Sequence, residues 1–223
     1  LVLFMGIFNA APPPLETFIT DVVFSANGAV LLIVGSLFGA VFGAVFSGVS
    51  GANQLRAKIT AAQSSGGGTI TFTCGPAIIV ATTQLPFITG VVTIDGGGTI
   101  QLSGGNTVRV FFVNGGSLML RNVTVRNGSA GNAGGAIRVA VGQLVASDTT
   151  IEQSVSTDEG GGVYADVGDI RFDNVTVNGN HGGGAGGGVY ARGGFVSLTN
   201  VTISGNSSDA SGGGLALDGA GLR

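Results

Sequence analysis

The stretches that open at Gly116, Gly142, Gly168 and Gly194 are four copies of one block, repeated every 26 positions through Leu217 without insertion or deletion. Asn122, Asp148, Asn174 and Asn200 mark it, each opening the same short strand, written NVTV, DTTI, NVTV and NVTI. Twelve residues past the last apolar position of that strand comes another, introduced by GGAI, GGGV, GGGV or GGGL. A fixed period in the twenties, built from strand-forming residues, leaves a single coil unable to bury its own apolar face, so coils must stack.

Alternation within the repeat defines the stack. One strand supplies Leu118, Leu144, Ile170 and Val196, then Leu120, Ala146, Phe172 and Leu198. The next supplies Val123, Thr149, Val175 and Val201, then Val125, Ile151, Val177 and Ile203. The last supplies Ile137, Val163, Val189 and Leu215, then Val139, Ala165, Ala191 and Leu217. Period-two spacing puts each set on one strand face, and only Thr149 is polar, so three parallel sheets around one core are expected. The column Asn122, Asp148, Asn174 and Asn200 falls where the first strand bends into the second. Asn tolerates left-handed backbone there, and its amide can bond to its neighbour in the stack, so the column reads as a structural ladder. Asn122, Asn127, Asn174, Asn200 and Asn206 open N-x-Ser/Thr triplets, but a turn ladder followed by Thr produces such matches without glycosylation.

The register extends N-terminally. VVTID at 91–95 lies one full period before SLMLR, and Phe111 and Val113 lie one period before Ile137 and Val139. The GGG at 96–98 shifts it locally. Roughly six coils follow, a rod on the order of 30 Å. Leu222 falls one period after Val196, so the β-helix, over 68–223, is expected to be incomplete at its C-terminal end.

Glycine makes up 43 of 223 residues, but in register with apolar strands, which reads as turns and close backbone approach. Charged residues are 9% of the chain, the net charge is −3 and Lys58 is the single lysine, so nucleic acid is not an expected partner. One cysteine, Cys74, excludes an intramolecular disulfide and a Cys-based zinc site, and no cofactor or metal is expected.

Residues 22–54 carry no charge, and GAVLLIVGSLFGAVFGAVFSGVS is apolar enough to cross a bilayer as a helix. Gly35, Gly39, Gly43 and Ser47 form a small-residue stripe of the kind that lets membrane helices approach. A signal or membrane helix is the first expectation for segment 1–51, although no Lys or Arg precedes Arg56; a buried apolar cap is the alternative. Over 52–67, Leu55, Ile59 and Ala62 share one helical face, predicting a short helix that caps the solenoid before the strand TITF at 69–72.

LRAKITAAQ, the following GGGTITFTCGP, and the repeated GG[AG]-[IVL] with VNGN or ISGN resemble the right-handed parallel β-helix proteins of bacterial surfaces, whose repeats are similar to those of polymorphic outer-membrane proteins. The resemblance covers roughly residues 53–222. It implies an all-β, right-handed parallel β-helix with three strands and about 26 residues per coil. It also implies an exported, often adhesin-like protein. Val177 and Ile203 depart from a preference for Phe, and Asn53 stands where many relatives carry a cysteine, leaving Cys74 without a partner.

Parallel β-helices also carry polysaccharide lyases and glycoside hydrolases, so an enzyme is the main alternative. A lyase needs a base and an acidic cluster for calcium, yet the coils hold no lysine, and Asp158 and Glu159 are their one adjacent acidic pair. Asp166, Arg192 and Asp218 occupy equivalent positions on successive coils, which puts the two acids ~9.6 Å apart, near the spacing of an inverting pair. Arg192 between them favours a charge ladder, which holds both acids ionised. His181 in GNHGGGAGGG is expected to be a loop histidine without a catalytic role. Thr124, Thr150, Thr176 and Thr202 form one outward column, as in ice-binding solenoids, but Arg126, Glu152, Asn178 and Ser204 stand where a second Thr rank would be. Tyr164 and Tyr190 stack outward on the third sheet and could contact sugar, but a two-ring ladder is more often packing.

The expectation is a noncatalytic extracellular or cell-surface β-helix, an adhesion module or structural stalk, with a cell-surface polysaccharide or a host or neighbouring surface as partner and membrane attachment through residues 22–54. The alternatives are a polysaccharide-active enzyme using Asp166 and Asp218, and an ice-binding or carbohydrate-binding solenoid.

Overall fold

The computed structural model describes residues 23–26, 29–32 and 44–223. It is a parallel β-solenoid of about 7 turns. The stack of the first sheet runs through Ala44–Val49, Gly68–Phe72, Val91–Ser103, Phe111–Arg126 and Ile137–Glu152, then Asp169–Asn178, Phe195–Thr199 and Gly221–Leu222. The longest of these strands run on through corners, where the pairing is interrupted or shifts register, so one continuous segment supplies rungs to more than one sheet.

All six apolar columns point inward. Their members in the interior coils, from Leu118 to Val196, are essentially solvent-free. Ala146 lies in register beneath Phe172, so a small residue meets the largest side chain of its column. Thr149, the polar exception, is buried, and its hydroxyl donates to the Ser147 carbonyl at 2.8 Å. A hydroxyl that returns its hydrogen to the local backbone enters a core at little cost.

The register shift at the glycine run is present. Asp95 pairs with Arg121 but Ile100 pairs with Val123, so the bend in this coil holds three additional residues. The loop that follows is shorter by the same amount, since Phe111 again pairs with Ile137. The coil keeps its overall period by moving residues from one corner to another.

Two features refine the three-strand expectation. A fourth ladder of two-residue rungs, Ser129–Ala130, Val155–Ser156, His181–Gly182 and Ser207–Ser208, closes each coil before the glycine turn. The helix Ala52–Ser64 buries Leu55, Ile59 and Ala62 against the core, as a cap would. It does not precede the first rung, however. It connects Ala44–Val49 to Gly68–Phe72, two parallel neighbours, and so takes the place of the other strands in that turn. This added rung raises the count from six coils to about 7.

Gln54 accepts from the Ser50 N–H at 2.7 Å at the start of this helix. At its end Gly66 adopts φ 82 and the Gly67 N–H returns to the Ala62 carbonyl at 2.8 Å. This is the glycine stop that satisfies the last orphan carbonyls. The apolar helical segment expected within 22–54, including Gly35, Gly39 and Gly43, lies largely outside the described residues. Val23–Ala26 and Ala29–Leu32 are strands, paired antiparallel, and Leu31 pairs with Phe46. Among the described residues no helix is long and apolar enough to cross a membrane.

Candidate functional site

The marker column adopts the conformation expected of it. Asn122, Asp148, Asn174 and Asn200 have φ of 50, 48, 54 and 51, all left-handed. Each amide donates toward the preceding coil: Asn122 to Asp95 at 3.1 Å, Asn174 to Asp148 at 2.6 Å and Asn200 to Asn174 at 3.1 Å. Asp148 can only accept when ionised, so the ladder is broken between it and Asn122.

A second polar ladder, absent from the sequence expectations, lies inside the coil. Ser154 and Asn180, at 0% and 1% exposure, stand one period apart, with Asn206 one coil further on. Asn180 donates to the Ile151 carbonyl and to Asn206, both at 3.0 Å, while its own oxygen accepts from the Ser154 N–H at 3.0 Å. Asn206 repeats the pattern on the Val177 carbonyl and the Asn180 N–H, each at 2.9 Å. These amides satisfy backbone groups where the chain leaves the second sheet, at left-handed Gln153, Gly179 and Gly205. The glycines of the following turn make room. A Cβ on Gly162 would lie 3.1 Å from the Asn180 amide carbon, and one on Gly188 2.9 Å from the Asn206 amide nitrogen. In the coil where the ladder residue is the smaller Ser154, the glycine position holds Ala136.

The outward face of the third sheet brings together Asp166, Arg192 and Asp218, but not as a shared ion pair. Arg192 places Nε at 2.9 Å and Nη2 at 2.6 Å from one oxygen of Asp166. Asp218 instead accepts from the Tyr190 hydroxyl at 3.2 Å. Burial first, and then this bond to Asp218, push the Tyr190 hydroxyl above its ordinary pKa. A general acid needs surroundings that favour its proton, whereas a guanidinium in contact favours its loss.

His181 sits in the fourth ladder. Its Nδ1 is 3.0 Å from the Ser207 hydroxyl in the next coil, and its Nε2 is 3.7 Å from Asp209. Residue types of a nucleophilic triad thus meet through the coil offset, which the isolated GNHG motif does not reveal. The carboxylate is beyond hydrogen-bonding distance and largely exposed, so it does not orient the ring as an activated nucleophile requires.

The Thr column is in register over Thr124, Thr150, Thr176 and Thr202. Beside it Arg126 pairs with Glu152 at 3.5 Å and donates to Gln101 at 2.8 Å, which makes the flank charged and uneven. Tyr164 and Tyr190 stack with centroids 5.6 Å apart and planes 3° off parallel. Their column continues through Arg138 to Phe112 in adjacent rungs. Tyr164 is only 6% exposed, so its ring is a packing surface rather than a sugar platform. Cys74 is a half-buried free thiol against the core. Among the described residues no three His, Cys, Asp or Glu side chains gather as a metal site.

Comparison of the chain with protein-family models, curated proteins and solved structures gave no match. The part of the bacterial-surface resemblance that the structure bears out is therefore the fold.

Proposed function

We propose that this chain is a noncatalytic structural solenoid, displayed outside the cell as a stalk or adhesive spacer. At ~4.8 Å per turn, about 7 turns make a rod on the order of 35 Å. The observation that carries the proposal is where the reactive side chains go. Asp166 is engaged by Arg192, Asp218 by Tyr190, and the asparagines by one another and by the backbone. Each such contact joins one coil to the next, so these groups hold the stack together.

Incubation of the full chain with a panel of acidic and neutral polysaccharides tests the reading, with no new reducing ends or unsaturated products expected. Their appearance, and their loss in D166N or D218N, would establish the hydrolase or lyase alternative instead. For display, cell fractionation is expected to place the chain at the surface or in the medium; recovery in the cytosol with residues 22–54 intact refutes it.

A further inference from the structure

Phe112, Arg138 and Tyr164 stand in consecutive rungs of the outward column of the third sheet, with Phe87 beside Phe112 one turn earlier. Two guanidiniums converge on one ring, Arg109 at 5.5 Å and Arg138 at 5.4 Å from the Phe112 centroid. The residues that form ion pairs within 4.0 Å are Arg126, His181 and Arg192, so neither Arg109 nor Arg138 has a carboxylate partner among the described residues.

The two arginines differ in what holds them. Arg109 is 7% exposed, and it donates to the carbonyls of Gly134 at 2.7 Å and Ala133 at 2.9 Å and to the Asn132 side chain, which ties down the loop over the column. Arg138 lies between the rings of Phe112 and Tyr164, and its Nε is buried without a hydrogen-bond partner. Burial and then the charge of Arg138 lower the Arg109 pKa to about 10. Two neighbouring cations, one with an orphaned buried donor, stand side by side without a carboxylate within 4.0 Å among the described residues, while the charges of Asp166 and Glu159 act further along the column at Tyr164. Ring contacts stabilise a guanidinium but do not satisfy its N–H groups.

The geometry points to an anion subsite at Arg109 and Arg138, suited to the carboxylate of an acidic sugar. With Arg109 Nε and Nη2 bonded to the loop and Arg138 Nε buried, Arg109 Nη1 and the two terminal nitrogens of Arg138 are the charge-assisted donors left for a carboxylate. A sugar also needs an apolar surface and polar side groups, and both adjoin. Phe87 is 49% exposed and packs 4.8 Å from Phe112. Arg109 borders a groove of about 260 Å³ that Gln84, Thr107, Ser129 and Asn132 line with amides and hydroxyls. An exposed ring and a groove of amides and hydroxyls match the apolar face and hydroxyls of an acidic saccharide, whereas an acidic peptide held by the same arginines would leave them unused. The subsite gives the adhesive solenoid a ligand and rests on that reading.

Calorimetric titration of the full chain with tri-galacturonate, its methyl ester and sodium sulfate tests the inference. The acid trimer is expected to bind, the ester about 10-fold or more weakly, and sulfate to compete, with R138Q losing about 10-fold and R171Q, on the exposed first sheet, losing none. Equal binding of acid and ester, no binding of the acid, or full binding by R138Q overturns the subsite. Should R138Q fail to fold by circular dichroism, the ester comparison and sulfate competition on the unaltered chain decide the matter alone. Cleavage of the trimer would refute the noncatalytic reading while leaving acid-selective binding intact, so the two failures are distinguishable.

Discussion

The two polar ladders run along the same stack and use the same amide chemistry, yet they sit on opposite sides of the coil wall. Asp148, Asn174 and Asn200 are exposed, and their side chains bond mainly to one another. Ser154 and Asn180 are buried, and their bonds go to backbone groups that water cannot reach. The exposed ladder is thus chiefly a conformational device, a way to hold left-handed corners, while the buried one is part of the core's hydrogen-bond closure. A net gain of about 1 kcal/mol for a made hydrogen bond applies to the first, and a penalty of about 1–3 kcal/mol per orphaned group to the second.

The sharpest contrast is expected from Asn180→Ala. It orphans the buried Ser154 N–H and removes the second donor to the Ile151 carbonyl, and should cost about 3 kcal/mol in denaturant unfolding. Next is Gly162→Ala, whose Cβ would sit 2.6 Å from the Gly188 carbonyl and 3.1 Å from the Asn180 amide. A loss of about 2 kcal/mol is expected, with part regained in the double variant G162A/N180S, which copies the Ala136 and Ser154 pairing. Strict additivity in that cycle would break the claim that glycine makes space for the ladder.

The exposed ladder should respond more weakly. Asn174→Ala places a Cβ-bearing residue with no local polar bond at φ 54 and should cost about 1–1.5 kcal/mol, whereas Asn174→Gly should cost about 0.5 kcal/mol or less. Equal losses would mean that the amide bond, not the backbone conformation, is what matters there. Smallest is Asp148→Asn, which restores a donor toward Asn122 and should stabilise by about 0.5 kcal/mol. Thermal unfolding of the three variants side by side reads all of these effects.

Much of this was legible in the chain. The Asn122 column could be placed at a left-handed corner because conformational preference at φ > 0 is local and residue-specific. The inward columns could be listed because strand faces alternate wherever a strand lies. The fourth ladder was not legible, since Ser129–Ala130, Val155–Ser156, His181–Gly182 and Ser207–Ser208 have no shared apolar pattern and pair chiefly through backbone. Asn180 was equally hidden, because a polar residue among glycines reads as a turn. A signal did exist in the repeat, where glycine at 162 and 188 accompanies asparagine at 180 and 206, and alanine at 136 accompanies serine at 154.

The placement of the helix and the partners of the charges also required the fold. Nothing in ANQLRAKITAAQS says that a parallel rung precedes it. Register alone sets Arg192 equally between Asp166 and Asp218, and only the side-chain geometry gives it to Asp166. The period, the core columns and the left-handed corners are written in the chain, because each follows from steric preferences within a few residues. Which asparagines are buried, which acid Arg192 takes and that Arg138 takes none are set by the packing of the folded coils. Burial and ion pairing depend on how the loop of one coil folds over the next, and that contact joins residues about a full turn apart.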